Sequence, residues 1–417
     1  MSFLNVKVGY FLAYRQIKRS SYWITALIIF IMMVTFLNLV VISGILVGLI
    51  SGSSNDFRTH YSGDVFIKPN TEYKFIDNSR YIYQVASNLP DVDAVSVRYL
   101  EPVQLEANYK RLITGNKVRD VASSLLTGID PEIENAVTSL SELVVEGTYL
   151  EDTDTNEVLI GSGLLEQYSI GLGESTLEGV QVGSNIRLSV GDTSQEVVVK
   201  GIVDTKTSEI AQRVYMTQKQ MRNILGRNSD QSNEIAISLK DLEPPIDADR
   251  VKNDIVNSNI SSSALVQNWE EAQGSFFKDL SSTFAILGNI IGATGLGVAS
   301  ITVFIVIFIN AISRKKFIGI MKGIGISGSA IRFSYLFQSV FYACLGTAFG
   351  LMILYGLLVP YFELHPIDFP FSDGVLFVST GGTLWRVGML FVTTLIAGFV
   401  PAQMIIRKNT LDSILGR

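Results

Sequence analysis

Residues 22–50 run without an Asp, Glu, Lys, Arg or His, and that stretch limits what the chain can become more than any other. As a helix rising about 1.5 Å per residue it reaches roughly 40 Å, beyond the ~30 Å hydrocarbon core of a bilayer. Three further charge-free runs follow at 284–312, 333–362 and 387–406. Only 17% of the 417 residues are charged, against about 25% in soluble domains, and the deficit sits in these runs. A signal peptide has a shorter apolar stretch and a small-residue cleavage site, so the first run reads as a retained span. The expected fold is an α-helical membrane protein: four transmembrane helices, with a large α/β extracytoplasmic domain inserted between helices 1 and 2.

Lys and Arg in short flanks set orientation. Lys7, Arg15, Lys18 and Arg19 precede the first run; Arg314, Lys315, Lys316, Lys322 and Arg332 lie between the second and third; Arg407, Lys408 and Arg417 close the chain. The third connection instead carries Glu363, Asp368 and Asp373, with no basic residue before Arg386. Both termini are therefore expected in the cytoplasm of a multi-pass plasma (inner) membrane protein. The resulting partition is a cytoplasmic N-terminal helix at 1–21, span one at 22–50, the outer domain at 51–282, and span two at 283–312. A cytoplasmic segment at 313–332, span three at 333–362, an outer loop at 363–386, span four at 387–406 and a cytoplasmic tail at 407–417 complete it. Val6, Tyr10, Ala13 and Ile17 fall near helical spacing among basic residues, which suggests an amphipathic helix in the inner interface.

The outer region is large enough to bury a core of its own. Strands are expected at 65–68 (VFIK), 94–98 (AVSVR), 103–107 (VQLEA), 158–160 and 197–203 (VVVKGIV). Residues 185–190 alternate and meet Gly191-Asp192, a hairpin pattern. Helices are expected at 162–168, 217–225 and 248–258. Breaks at 150–156 and at Glu243-Pro244-Pro245 divide the region into two lobes of one domain.

Several functions are disfavoured. A net charge of -6 argues against nucleic acid as a partner. The lone Cys344 permits no internal disulfide. No stretch fits G-x-x-x-x-G-K-[ST], which a phosphate-cradling loop needs; Gly161-Ser162-Gly163 and Gly171-Leu172-Gly173 lack the following Lys. There is no H-E-x-x-H, and His60 and His365 read as solvated loop residues rather than ligands. The spans hold only mild polar groups, Asn38, Asn289, Asn310 and Gln338 among them, so no ion-coupling relay is visible. No catalytic, metal or cofactor-binding residue is assigned, and the driving energy must come from another chain.

Two patterns point to contacts. Phe317, Ile318, Ile320, Met321 and Ile324 alternate with Lys315, Lys316 and Lys322, an apolar ridge suited to a groove on a partner. Gly44/Gly48 and Gly288/Gly292, like Gly346/Gly350, form G-x-x-x-G, which lets helix backbones approach in lipid.

The order of one span, a large outer domain and three spans, together with local motifs, resembles the FtsX/MacB-type (type VII) ABC permeases, including lipoprotein-releasing permeases. The motifs are TGIDPEIENAVTSLSELVVEGTYLEDTDTNEVLIGSGLLEQYSI at 127–170, VKGIV at 199–203, VYMTQKQMRNIL at 214–225, RKKFIGIMKGIGIS at 314–327 and Val400-Pro401-Ala402 before the tail. The chain departs from the family pattern at Phe317, where an acidic residue is usual, at Gly323 and Ile326, and at Thr410, where the tail has proline. The resemblance implies that 317–327, with Phe317, Ile318, Ile320, Met321, Lys322 and Ile324, is a coupling helix docking into a separate ABC ATPase subunit. It further implies a homodimer, or a heterodimer with a related permease, packed through spans one and two, to which Gly44, Gly48, Gly288 and Gly292 would contribute. A periplasmic adaptor is a further partner in some relatives. The function implied is mechanotransmission for export or extraction of a hydrophobic or lipid-linked substrate. The alternative is an FtsX-like signalling regulator of an envelope hydrolase, which moves nothing.

Overall fold

The computed structural model describes residues 3–109, 120–168, 176–226, 230–241, 247–260, 262–313, 315–369, 372–374 and 376–406. The glycines at 171–173, Arg314, Glu243-Pro244-Pro245 and the 407–417 tail lie outside them. The chain opens with α1 (Phe3–Lys18) and α2 (Tyr22–Phe57), the latter prolonged by a π-helical turn (Arg58–Ser62). Then come β1 (Val65–Pro69), α3 (Ser79–Ser87), β2 (Val92–Glu106), β3 (Val121–Ile129), α4 (Pro131–Thr138), β4 (Val144–Gly147), β5 (Glu157–Gly161), β6 (Asn185–Val190), β7 (Thr193–Val203) and α5 (Ser208–Ala211). β8 (Arg213–Thr217), α6 (Gln218–Leu225), β9 (Glu234–Leu239), α7 (Ala248–Asn257), β10 (Ala264–Asn268) and α8 (Trp269–Ala272) follow. The last third is α9 (Gly274–Ser313), α10 (Lys315–Gly323), α11 (Gly328–Ile353), continued through a π-helical turn into α12 (Val359–Leu364), and α13 (Thr380–Ile406).

Four helical stretches are long and apolar enough to cross a membrane: Tyr22–Ser62, Phe277–Ser313, Gly328–Leu364 and Thr380–Met404. The chain is a multi-pass membrane protein. All four stretches reach beyond the apolar runs that announced them. At about 1.5 Å per residue, the 41 residues of the first extend roughly twice the hydrocarbon thickness.

The helical unit comprises the chain up to Ser51 and nearly everything from Asp279 onward. Its core joins Ile28, Met32 and Phe36 of α2, Val303 and Ile307 of α9, Ile331, Tyr335 and Tyr342 of α11, and Leu390 and Ala397 of α13. Small residues set the spacings. A Cβ on Gly346 would stand 2.5 Å from Met32 Cβ, so α11 passes α2 at backbone distance. α1 lies along the first turns of α11, where Asn5 Nδ2 donates to Ser329 Oγ at 3.0 Å and Tyr10 meets Phe337 edge to face.

The second unit, Gly52–Lys278, is built on a ten-stranded sheet of order β10-β1-β9-β2-β3-β8-β5-β7-β4, with β6 pairing β2 and β7. The β3/β8 and β5/β7 pairs are parallel and the others antiparallel. Three apolar clusters pack in this unit, and two of them hold no residue of α2 or its π-helical turn. One gathers Leu105, Leu126, Ile160, Ile186 and Val214; the other gathers Val65, Ile82, Ile235, Val251 and Ile255.

Three expectations change. The separate strands at 94–98 and 103–107 are one strand, β2, running through Pro102. That residue lies between the stretch paired with β9 and the stretch paired with β6, where no second strand needs its missing N–H. The helix at 162–168 is two 3₁₀ turns, Ser162–Leu164 and Glu166–Tyr168, because the Leu165 region bonds Leu177: Leu177 N–H donates to Leu164 O at 2.8 Å and Glu166 N–H to Leu177 O at 3.1 Å. His60 is not a solvated loop residue. It lies half-buried in the π-helical turn, with Nδ1 3.0 Å from Thr138 O, whereas His365 is exposed beside Tyr361.

Candidate functional site

Two places stand out, one for exposed apolar side chains and one for buried charged ones. One is α10. The Ile318 side chain is buried in the helical core and Met321 packs against it, while Lys322 Nζ donates to Ile406 O at 3.0 Å. Phe317, Ile320 and Ile324 point outward and are 67%, 43% and 74% exposed. Helical periodicity thus divides the ridge. One row anchors α10 to the bundle, and the other offers a branched and an aromatic surface that no described residue covers.

The other place is the neck, where the prolonged α2 meets the sheet. Arg98 on β2 and Glu234 on β9 face each other in register. Beside them lie Arg213, the first residue of β8, and Glu134 in the first turn of α4. Arg98 grips Glu134 through two bonds, Nη2–Oε1 at 2.7 Å and Nε–Oε2 at 2.9 Å. Arg213 grips Glu234 the same way, at 2.8 and 2.9 Å, and Arg98 Nη1 bridges to Glu234 at 3.4 Å. Ser96 and Thr138 hydroxyls donate to the remaining Glu134 lone pairs at 2.6 and 2.9 Å. The quartet is neutral as a whole, and Arg98 and Glu134 are each 2% exposed. Burial at this depth is costly unless every charge is paired and hydrogen-bonded, which is the arrangement found.

Tyr61, on the π-helical turn that ends α2, is the element they hold. Its hydroxyl donates to Glu234 at 2.8 Å and accepts from Arg213 at 2.8 Å, and its carbonyl accepts from Arg98 at 2.7 Å. Both guanidiniums lie over its ring, 5.2 and 4.9 Å from the centroid, an attractive cation–π geometry. Phe57 and Phe66 flank it. Burial pushes the Glu234 carboxyl up, but the Arg213 charge, its hydrogen bonds and Arg98 outweigh that and hold it at about 2. Burial pulls both guanidiniums down, and their carboxylates more than reverse it, leaving each above its ordinary range.

The descending connection is fastened to the same neck. Ser54 Oγ donates to Gln273 Oε1 at 3.0 Å, and Gln273 Nε2 donates to Ser54 O at 3.1 Å. Asp64 accepts from Arg58 Nε at 2.7 Å and from Leu239 N–H at 2.7 Å, and its carbonyl accepts from Trp269 N–H at 3.1 Å. Arg58 also stands over the Trp269 ring. The segment that arrives from α2 and the segment that leaves for α9 are thus tied to each other and to the sheet.

The glycines singled out from sequence lie at contacts within the chain. Gly44 sits under Leu376 and Phe377, with Phe377 N–H donating to its carbonyl at 3.2 Å, and Gly48 is buried. Gly288 faces Ser43 and Gly292 faces Leu39, so this pair closes α9 against α2. The neck quartet escaped sequence reading altogether.

An α/β domain between two long helices, two further spans, and a short, partly exposed apolar helix between the second and third spans fit a membrane permease. Residues 25–258 match the MacB-like periplasmic core domain and residues 289–410 the FtsX-like permease C-terminal domain. The first match alone covers more than half of the chain, so this protein belongs to the FtsX/MacB-type ABC transporter permeases. Permeases of this family carry no catalytic domain and work with an ATPase on a separate subunit. The chain is 22% identical over 335 residues to the lipoprotein-releasing system transmembrane protein LolC of Neisseria meningitidis serogroup B, with 76% of each covered. It also resembles the periplasmic region of MacB from Actinobacillus actinomycetemcomitans, with 12% identity, 53% of this chain and 95% of that one covered, and a TM-score of 0.35. For the extracellular domain of the ABC-type transporter YknZ from Gram-positive bacteria the values are 15%, 49%, 98% and 0.32.

Proposed function

We propose that this permease transmits the ATPase cycle of its partner subunit to its outer domain as mechanical displacement, and so exports or extracts a hydrophobic or lipid-linked substrate. The observation that carries this reading is the neck. A helix of about 40 residues ends in a π-helical turn whose Tyr61 is held by three buried charges on three strands, one of them paired with Glu134 of α4. Such a joint passes a push or tilt of α2 into the sheet with little slack, since each of its polar groups has a fixed partner. At the other end, Phe317, Ile320 and Ile324 seat in a groove of the ATPase, while Ile318 and Met321 couple the seated helix to the bundle. Both termini and α10 lie in the cytoplasm, as the placement of Lys and Arg implies, and the sheet domain lies outside. Pairing with a second permease chain, identical or related, through α2 and α9 completes the assembly. The lipid-linked substrate class rests on the similarity to a lipoprotein-releasing relative.

The test is recovery of the ATPase on affinity-purified permease in detergent. Ile320→Asp with Ile324→Asp places charges on the exposed row only; ATPase recovery should fall to background while permease yield and helicity hold. Undiminished recovery would remove α10 as the docking element.

A further inference from the structure

We infer that the outward face of α1 is a binding surface for acidic phospholipid headgroups. The helix has two distinct faces. Asn5, Gly9, Ala13 and Gln16 turn toward α11: Gln16 Oε1 accepts from Ser334 Oγ at 3.3 Å, Ala13 is 2% exposed, and a Cβ on Gly9 would stand 2.6 Å from Phe333 Cβ. That face is committed to the protein. The opposite stripe, at i, i+3, i+7, i+10 and i+14, is Leu4, Lys7, Phe11, Tyr14 and Lys18, with Arg15 and Arg19 beside it, and all are exposed. Helical neighbours three and four apart share one face, so apolar and cationic side chains alternate along a single strip.

Three observations identify the occupant. The first acidic residue of the chain is Asp56, so no carboxylate within α1 or the rest of the N-terminal segment compensates Arg15, Lys18 and Arg19. The helix lies along the opening turns of one membrane span and leads within a few residues into another, which holds it at the bilayer edge. Tyr22 and Trp23, 86% and 87% exposed, begin that second span with the amphipathic rings that settle at headgroup level. A strip of aromatic and aliphatic side chains interleaved with cations, at that depth, matches an anionic headgroup above an acyl boundary. A leaflet rich in acidic lipid would hold α1 against α11 and steady the start of α2. The inference needs only that the chain spans a bilayer and does not depend on the transport reading.

The test uses the full-length chain in vesicles of phosphatidylcholine containing a fixed fraction of brominated lipid. Trp23 fluorescence is obtained by subtracting the signal of a Trp23→Phe variant. Brominated phosphatidylglycerol should quench Trp23 with an apparent affinity about fivefold or more above brominated phosphatidylcholine, the gain expected from even one of the three cations. That preference should vanish in about 1 M salt, where the screening length falls to ~3 Å, and in Arg15→Gln/Lys18→Gln/Arg19→Gln. The substituted side chains are exposed, and unchanged circular dichroism checks the fold. Equal quenching by the two lipids overturns the proposal, as does a preference that survives both salt and the triple variant. Parity combined with loss of ATPase recovery in the triple variant would assign the face to a protein contact instead, and equally overturn it.

Discussion

Replacing Glu134 by Leu tests whether the neck quartet works as a closed set of charges. The substitution keeps side-chain bulk but removes the acceptor of four hydrogen bonds: two from Arg98 and one each from Ser96 and Thr138. The buried set then carries one uncompensated positive charge. Arg98 retains the Tyr61 carbonyl at 2.7 Å, the Glu234 contact at 3.4 Å and the Tyr61 ring face. Both partners are 2% exposed, so solvent screening gives little relief. Leaving such a charge unpaired costs about 3–5 kcal/mol, or roughly a hundred- to several-thousand-fold in the opening equilibrium. Amide hydrogen exchange on the full-length protein in detergent reads this directly. Peptides covering 57–63, β2 and β9 should exchange faster by about that factor, while peptides from α1 and α11 stay unchanged. The control is Arg98→Met with Glu134→Leu, which removes the charge pair together. Exchange should return to within about tenfold of the parent, because apolar replacement of a whole buried pair is close to neutral. An increase of less than about tenfold in the single variant, or a double variant as labile as the single, would refute the argument that pairing governs this joint.

Acid should loosen the same joint. Glu234 titrates at about 2 in the folded chain against an ordinary 4.5; a depressed value stabilises the fold fully above 4.5, and that stabilisation, about 3 kcal/mol, fades as pH falls toward 2. Exchange of β9 amides measured from pH 6 to 2.5, corrected for intrinsic rates, should show it, and Glu234→Gln should flatten the profile. Gly147 has φ of +82° and its Cβ position is taken by the Lys200 carbonyl, so Gly147→Ala should cost about 1–3 kcal/mol and raise exchange in β4 peptides. Gly9→Leu should lift α1 from α11, and a cysteine pair at Asn5 and Ser329, which lie within hydrogen-bonding reach, should then lose its capacity to oxidise to a disulfide.

The membrane part was legible because its physics is local. A charge-free run of sufficient length has few fates, and all four spans stand where those runs lie. What the runs do not mark is where the helices end. α2 continues through Ser51–Gly52–Ser53–Ser54, and α9 starts at Gly274, well before the apolar stretch. Polar helix outside lipid is decided by partners, and those partners are distant: Ser54 and Gln273 bond each other from opposite ends of the outer domain. The third span likewise begins five residues early, at Gly328, since the polar Ser329 and Ser334 are covered by α1.

The quartet was illegible for a reason that bears on function. In the segment 94–98, Val95 and Val97 alternate with Ser96 and Arg98, which reads as a core face and a wet face. The face with Ser96 and Arg98 is dry, because α4 lays Glu134 across it and the end of α2 brings Tyr61. Four charges spread over residues 98 to 234 look like ordinary surface positions until the sheet places β2, β8 and β9 side by side. An apolar joint would have been simpler to build and about as stable. Apolar contacts, however, slide, whereas Tyr61 is fixed in direction by hydrogen bonds at both its hydroxyl and its carbonyl. On the proposed function, the turn that carries Tyr61 is better held by directional bonds than by area. The variant in which Arg98 and Glu134 are both apolar separates the two demands: stability should survive it, and the response of the outer domain to the ATPase cycle should not.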